Sequence, residues 1–172
     1  MSQPEAWLRG PIVDCDPILL PVAHSLVQAR EDLEQLAAQT PSADVWTRPG
    51  GAASLGFHVM HIGGALDRLF TYARGEMLND SQKAALKAEA ESHPDQTLAD
   101  VTRGTLAIVD GALDQLKRTS RESVLDARKV GRAGLPATVL GLLFHAAEHT
   151  TRHVGQAVTT QKILANGGAG RS

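Results

Sequence analysis

The chain has 172 residues, which is enough for one domain that buries its own core without disulfides. Hydrophobic residues make up 42% of it and charged residues 21%, which excludes a disordered or fibrous chain, and only 3% of the residues are aromatic. The net charge of −2, without a cluster of arginine and lysine, argues against nucleic acid or an anionic membrane as a partner.

The cellular compartment is indicated by three further features. The single cysteine, Cys15, excludes an intrachain disulfide and is typical of a reducing compartment. The N-terminal residues show no basic segment followed by an apolar run, so we expect no signal peptide. The most apolar stretch, residues 135–147, is too short to span a bilayer. We therefore expect a cytoplasmic protein.

The first helical segment is predicted to begin at Asp16, because aspartate is a favourable N-cap and Pro17 suits the first turn. Apolar residues then recur every three or four positions, which places them in one stripe on a helix. They are Ile18, Val22, Leu26, Ala29, Leu33 and Leu36. The sequence Thr40-Pro41-Ser42 is predicted to end the segment.

Three more long helices are predicted from similar signals. Ser54 caps the second, which runs to about Gly75, and the third begins near Thr97. Pro136 opens the fourth, which continues to about Leu164. Low aromatic content and the lack of a convincing strand-like alternation agree with a wholly helical fold.

The connection between the second and third helices, Glu76 to Gln96, is long for a bundle. It contains a Lys/Ala/Glu-rich stretch, residues 81–90, that is compatible with one exposed helix. Antiparallel neighbours join through short loops, so we predict that these two helices run parallel. The predicted fold is an all-α four-helix bundle with a long crossover between helices 2 and 3. It forms a single domain, residues 1–165, followed by a flexible glycine-rich tail, residues 166–172.

Histidines carry the chemical signal of the sequence. They are His24, His58, His61, His93, His145, His149 and His153. The last three follow one another at intervals of four residues, so they lie within about 80° of arc on one helix. Imidazoles from facing helices can converge on one cation, and an i, i+4 pair such as His149 and His153 is a chelating geometry of known zinc helices. The pair supplies two ligands, and either His61 or His58 is the obvious third.

A second interpretation of the histidines needs no metal. A single histidine on an apolar helix face is more often a hydrogen-bonded residue than a ligand, and we interpret His93 in this way. His24 lies near the inner stripe of the first helix, between Val22 and Leu26. A buried, hydrogen-bonded role is its simplest interpretation, although this position also allows it to approach a pocket.

Two motifs resemble a known family. Residues 149–156 have the pattern His-x-x-x-His-x-Gly-Gln, near the end of the last predicted helix. Upstream, the sequence WTRPGGAASL at 46–55 leads into Val-Met-His-Ile at 59–62. Together with the long crossover, these motifs resemble the DinB/YfiT-like superfamily of four-helix-bundle metalloproteins, which is named for DNA-damage-inducible proteins. The resemblance covers the chain from about Ile18 to Leu164.

The resemblance implies a divalent metal ion, zinc or nickel, with positions left for water or substrate. Its ligands would be His61 of the second helix and His149 and His153 of the fourth. Four more residues are candidates to contact these ligands or a substrate. They are His58, His145, Gln156 and His24.

Three neutral imidazoles would leave the charge of the ion uncompensated and a coordination position open, as in catalytic zinc sites. Such an ion lowers the pKa of bound water or thiol. Members of the superfamily include enzymes that use low-molecular-weight thiols as cosubstrates. The resemblance therefore favours a metal-dependent enzyme, such as a low-molecular-weight-thiol S-transferase or a related hydrolase. Its candidate partners are a small-molecule substrate and a second copy of the chain in a homodimer.

Two alternatives to an enzyme stay open. In the first, the same histidines hold a cation in a non-catalytic, metal-binding stress-response protein. In the second, the histidines of a purely structural bundle are packed and bind no metal. An open three-histidine site favours the enzyme and the metal-binding protein over the structural bundle.

Overall fold

A computed structural model describes residues 3–40 and 45–167. Its helices are α1 (Leu20–Gln39), α2 (Leu55–Ala73), α3 (Asp80–Ala88), α4 (Leu98–Arg118) and α5 (Val139–Gly167). Two antiparallel strands, β1 (Ala127–Val130) and β2 (Leu135–Thr138), form a hairpin between α4 and α5. No helix within these described ranges is long and apolar enough to cross a membrane.

The four long helices form a bundle in which α2 packs against α4 and α5, and α1 packs against the same two helices. One half of the core joins the start of α1 and α5 to the end of α2 and α4, and the other half joins the opposite ends. Helices α1 and α5 therefore run in one direction, and α2 and α4 run in the other. Full burial of a leucine such as Leu26 or Leu143 stabilises the fold by roughly 1.5–3 kcal/mol.

Two hydrogen bonds show that α2 and α4 are parallel. Thr105 Oγ1 donates to the carbonyl of Val59 at 2.8 Å, and Gln115 Nε2 donates to the carbonyl of Phe70 at 3.0 Å. The partners advance in the same direction along both helices, so the chain has to return the length of the bundle between them. The prediction of a long crossover between parallel helices is confirmed.

The crossover contains α3, close to the stretch of residues 81–90 whose composition is compatible with a helix. Asn79 and Gln82 form a capping box at its start. The predicted caps of the long helices also hold in two cases. Ser54 Oγ accepts a hydrogen bond from Phe57 N, and Thr97 closes a capping box with Asp100.

The predicted start of the first helix is wrong by about one turn, since α1 begins at Leu20. The Asp16 side chain accepts from Ile18 N at 2.9 Å, and its carbonyl accepts from Leu19 N at 2.8 Å. Asp16 therefore caps a separate turn before the helix, and Pro21 takes the proline position in the first turn of α1.

The expectation of a wholly helical chain is wrong at the hairpin. Pro136 lies in β2, opposite Lys129, and α5 begins only at Val139. Proline is tolerated here because both strands are edges of a two-stranded sheet. Gly131 and Gly134, with φ of 68° and 62°, shape the turn. The start of α5 is capped by Thr138, whose Oγ1 accepts from Gly141 N at 3.0 Å.

The far end of α5 lies beyond the predicted boundary at Leu164. The helix continues to Gly167, so residues 166 and 167 belong to it rather than to a tail. The rest of the predicted tail, 168–172, lies outside the described residues, as do Pro41 and Ser42. Helix α1 ends at Gln39, next to the predicted Thr40.

Replacing Leu143 by alanine should lower the free energy of unfolding by about 2–5 kcal/mol, because the side chain is fully buried and its loss leaves a cavity. The matched control is Phe144→Ala, at the next position of the same helix, where the side chain is 63% exposed. That change should stay within about 0.5 kcal/mol. Urea unfolding measures both, and equal losses would contradict this account of the core.

Candidate metal centre

Histidines from α2 and α5 meet because the two helices pack side by side in opposite directions. Nε2 of His61 lies 2.9 Å from Nε2 of His149, and Nδ1 of His58 lies 3.1 Å from Nδ1 of His153. One ring nitrogen from each of His61, His149 and His153 lies within 4.8 Å of the other two. The three residues implied by the family resemblance therefore come together, although they are 88 or more positions apart across the two helices.

The three-histidine cluster has the dimensions of a metal site. Nitrogens bound to a tetrahedral zinc ion at 2.0–2.1 Å stand about 3.3 Å apart, which small ring movements would reach here. Imidazole suits zinc and nickel among divalent metals. Nδ1 of His149 is buried and has no hydrogen-bond partner in the described part of the chain. A buried nitrogen without a partner costs free energy that a ligand would recover, so the cluster is compatible with metal binding.

Three of the histidines at the site have lowered pKa values, so they are neutral near pH 7. Burial and the neighbouring His61 lower the pKa of His149, and burial with the surrounding rings lowers the pKa of His153 to about 4. Burial also lowers the pKa of His58. Neutral imidazole is the form that binds metal ions, so these histidines do not need to lose a charge before they can act as ligands.

His58 contacts the cluster but does not belong to the group of three. Its side chain is buried, and its Nδ1 faces Nδ1 of His153. Only one of these two nitrogens can carry the proton. If His153 donates it, the other nitrogen of that ring, Nε2, keeps its lone pair for an ion.

The other candidates from the sequence lie at different distances from the cluster. The His145 ring is 5.5 Å from the His149 ring, half exposed, and its Nδ1 is 2.7 Å from Glu148. Glu148 also pairs with Arg152. Gln156 is exposed on α5, one turn beyond His153.

His24 does not reach the cluster, because it binds the carbonyl of Gly10 at 2.9 Å and lines a groove of about 580 Å³ between α1 and α5. The α5 residues of that groove, Val154 and Val158 among them, lie on the side of the helix opposite His149. His93 donates to the carbonyl of Ala88 at 3.0 Å, as its hydrogen-bonded interpretation requires.

Glu89, the residue after α3, is a member of the site that the sequence did not reveal. Its carboxylate is 5% exposed and accepts a hydrogen bond of 2.7 Å from Nδ1 of His61. It also pairs with Arg68. Burial alone would raise the pKa of Glu89, but the hydrogen bonds from His61 and Arg68 outweigh it and hold that pKa below its usual range.

The one feature of the sequence that relates to the position of the Glu89 carboxylate is a glycine on α2. A methyl group at Gly64 would overlap the Glu89 carboxylate, so this position has to lack a side chain. The sequence shows only that Gly64 sits inside a helix and that Glu89 belongs to a charged stretch typical of an exposed helix. The contact depends on how the crossover folds back, which neither feature predicts.

A small pocket is connected to the cluster through the side chain of Phe57. The Phe57 ring stacks on His61 with centroids 5.2 Å apart and planes 10° apart. Phe57 also lines a pocket of about 230 Å³ together with Trp46, Arg48 and residues 90–92, which follow Glu89. The His61 side chain is 20% exposed, so solvent reaches the edge of the cluster.

Acid should destabilise the metal-free protein through His153. Its folded pKa, about 4, lies below the usual value near 6.5, so the unfolded chain takes up the proton first as the pH falls. This contribution to stability is complete above pH 6.5 and is lost towards pH 4. Urea midpoints measured with a chelator at pH 7.5 and 4.5 should fall more for wild type than for His153→Gln, which does not titrate. Parallel decreases would contradict the expectation.

Comparison with known proteins agrees with the fold. Residues 25–157 match the DinB superfamily. The crystal structure of a conserved protein from Enterococcus faecalis has a TM-score of 0.60 and 22% identity to this chain, and the alignment covers 86% of this chain and 97% of that one. At this identity the likeness concerns the fold alone. No curated protein matches the sequence. Because the matched residues make up most of its length, the chain belongs to the DinB superfamily.

Proposed function

We propose that His61, His149 and His153 bind one divalent metal ion, zinc or nickel, through one ring nitrogen each. The observation that carries the proposal is the convergence of these three nitrogens within 4.8 Å, from two helices that the core holds together. Membership of the DinB superfamily supports it. The unpaired Nδ1 of His149 supports it as well, because it is the kind of buried donor or acceptor that a ligand satisfies.

We propose further that the centre is catalytic. With three neutral protein ligands, a bound ion would keep a position for water or thiol and lower the pKa of that group. The described residues offer no cysteine to close the site, since Cys15 packs against the half of the core at the other end of the bundle. A closed fourth ligand is the mark of a structural zinc site, so this arrangement favours reactivity.

The residues around the cluster have separate roles in this proposal. Glu89 accepts a hydrogen bond from Nδ1–H of His61 and so would direct Nε2 of that ring towards the ion. His58 would do the same for His153 by accepting a hydrogen bond from its Nδ1–H. His145, half exposed near the His149 ring, would contact a substrate. The pocket beside Phe57 supplies room for a small molecule.

The reaction that fits this arrangement joins a low-molecular-weight thiol to a small electrophile, and a related hydrolysis would use water instead. In the transfer, the sulfur of the thiolate forms a bond to the electrophilic carbon, and the leaving group departs with the electron pair of its bond. The low exposure of the cluster limits the reactants to small molecules. The small-molecule substrate and the homodimer stay predictions.

Metal content tests the binding proposal. Protein purified without a metal-affinity column, stripped with chelator and reloaded with zinc should hold about one ion per chain. His149→Ala and His153→Ala should each lose most of it, because two imidazoles bind far more weakly than three. Elemental analysis after dialysis measures this. His93→Ala is the matched control, since that ring is bonded to a carbonyl elsewhere, and it should bind like wild type. Equal zinc in all four proteins would refute the site.

Turnover tests the catalytic proposal. Zinc- and nickel-loaded protein is incubated with a panel of small electrophiles and low-molecular-weight thiols, and mass spectrometry detects the conjugates or the hydrolysis products. His149→Ala should reduce the rate at least tenfold, to near background, whereas His93→Ala should retain it. If wild type binds metal but shows no reaction above background, the non-catalytic stress-response alternative is favoured.

A further inference from the structure

We infer that Glu89 is a positioning residue for the metal centre and that it couples metal binding to the docking of the crossover helix α3. The inference rests on the proposed metal site. It adds Glu89 and helix α3, which the family resemblance does not supply. The juxtaposition that carries it is a buried carboxylate, at the end of an otherwise exposed helix, bonded to the ring of a proposed ligand.

The hydrogen bond to Glu89 sets the tautomer of His61. A carboxylate accepts, so the proton is on Nδ1, and Nε2 of the same ring carries the lone pair. Nε2 is the atom that faces His149 at 2.9 Å. A carboxylate behind a ligand histidine fixes the orientation of the ring and makes it a better donor. Of the three proposed ligands, His61 is the one with a carboxylate behind it in the described structure.

Helix α2 is built to receive this carboxylate. His61, Gly64 and Arg68 lie at spacings of three and four, on one face of the helix. All three accommodate the Glu89 carboxylate. His61 donates a hydrogen bond to it and Arg68 pairs with it. Gly64 leaves room for it, because a side chain at that position would overlap it. A carboxylate this deeply buried would be costly without both partners.

Helix α3 itself has little else to hold it. None of its residues, Asp80–Ala88, is buried, and Leu86 is 45% exposed. At its start, Gln82 Nε2 donates to Asp67 and to Thr71, each at 2.8 Å. At its end, Glu89 contacts His61 and Arg68. An element with so few buried apolar contacts opens at low free energy, so its docking depends on these polar contacts.

Coupling follows from reciprocity. An ion held by Nε2 of His61 would withdraw electron density from the ring, which would strengthen the Nδ1–H donor to Glu89. If metal binding stabilises the docked α3, docking raises metal affinity by the same factor. Residues 90–92 form part of the wall of the pocket beside Phe57. Metal binding should therefore also complete the pocket in which a small substrate would lie.

The test compares Glu89→Gln with Glu76→Gln, the same change at an exposed position of the same crossover. Chelator competition should show zinc affinity about 10–100-fold weaker for Glu89→Gln and unchanged for Glu76→Gln. The visible absorption bands of Co²⁺, used as a probe at the same site, should shift in Glu89→Gln because the ligand field of His61 changes. A purely structural role would leave these bands in place.

Hydrogen exchange tests the coupling directly. In wild type, zinc should slow amide exchange in residues 80–88. In Glu89→Gln that effect should disappear, while zinc still protects α2 and α5. If Glu89→Gln does not fold by circular dichroism, Gly64→Ala is the second variant. It crowds the carboxylate and favours the helix, and it should weaken zinc binding similarly.

The outcomes separate this inference from the proposed function. Wild type that binds no zinc contradicts the proposed metal site itself. Wild type that binds zinc through His149, with Glu89→Gln or Gly64→Ala within twofold of its affinity, overturns only the role of Glu89. Zinc binding in wild type without slower exchange in α3 overturns the coupling.

Discussion

The antiparallel packing of α2 against α5 is the constraint on which the site depends. His61 and His149 are separated by 88 positions, and only the contact between these helices brings their rings together. The same contact is held by buried side chains on either side of the cluster, including Ile62 and Val154. The polar site is therefore set into an apolar helix interface, where burial lowers the pKa of His149 and of His153.

The parallel arrangement of α2 and α4 has a second consequence for the site. A bundle of antiparallel neighbours would join α2 to α4 through a short loop at one end. Here the chain has to travel back along the bundle, and this return path brings α3 and Glu89 past the face of α2 that carries His61. The crossover is thus more than a connection, because a residue outside the four long helices completes the surroundings of the cluster.

Much of the fold and two members of the three-histidine cluster follow from sequence pattern. The apolar stripe of α1, the caps at Ser54 and Thr97 and the spacing of His149 and His153 are local signals, and each depends only on helix geometry. The family resemblance adds His61.

The features that the sequence did not predict depend on contacts between distant segments. Asp16 is a good N-cap by type, but it caps a turn and pairs with Arg121, more than 100 positions away. Pro136 suits a helix start as well as an edge strand, and the pairing with β1 decides between them. Glu89 is indistinguishable in sequence from an exposed glutamate until α3 docks.

The 2.9 Å separation between Nε2 of His61 and Nε2 of His149 also matters for how an ion enters. Because Nδ1–H of the neutral His61 ring donates to Glu89, Nε2 of that ring can only accept, and Nε2 of His149 has to be the donor. This hydrogen bond links α2 to α5. The buried Nδ1 of His149 then carries a lone pair that has no partner among the described residues. An ion held by Nε2 of His61 would need the lone pair that accepts this hydrogen bond, so the bridge would have to break, whereas Nδ1 of His149 would already offer a lone pair. The hydrogen bond therefore holds the two helices together in the absence of an ion. The affinity of the site for an ion would be the free energy of metal coordination less the free energy of the hydrogen bond that it replaces.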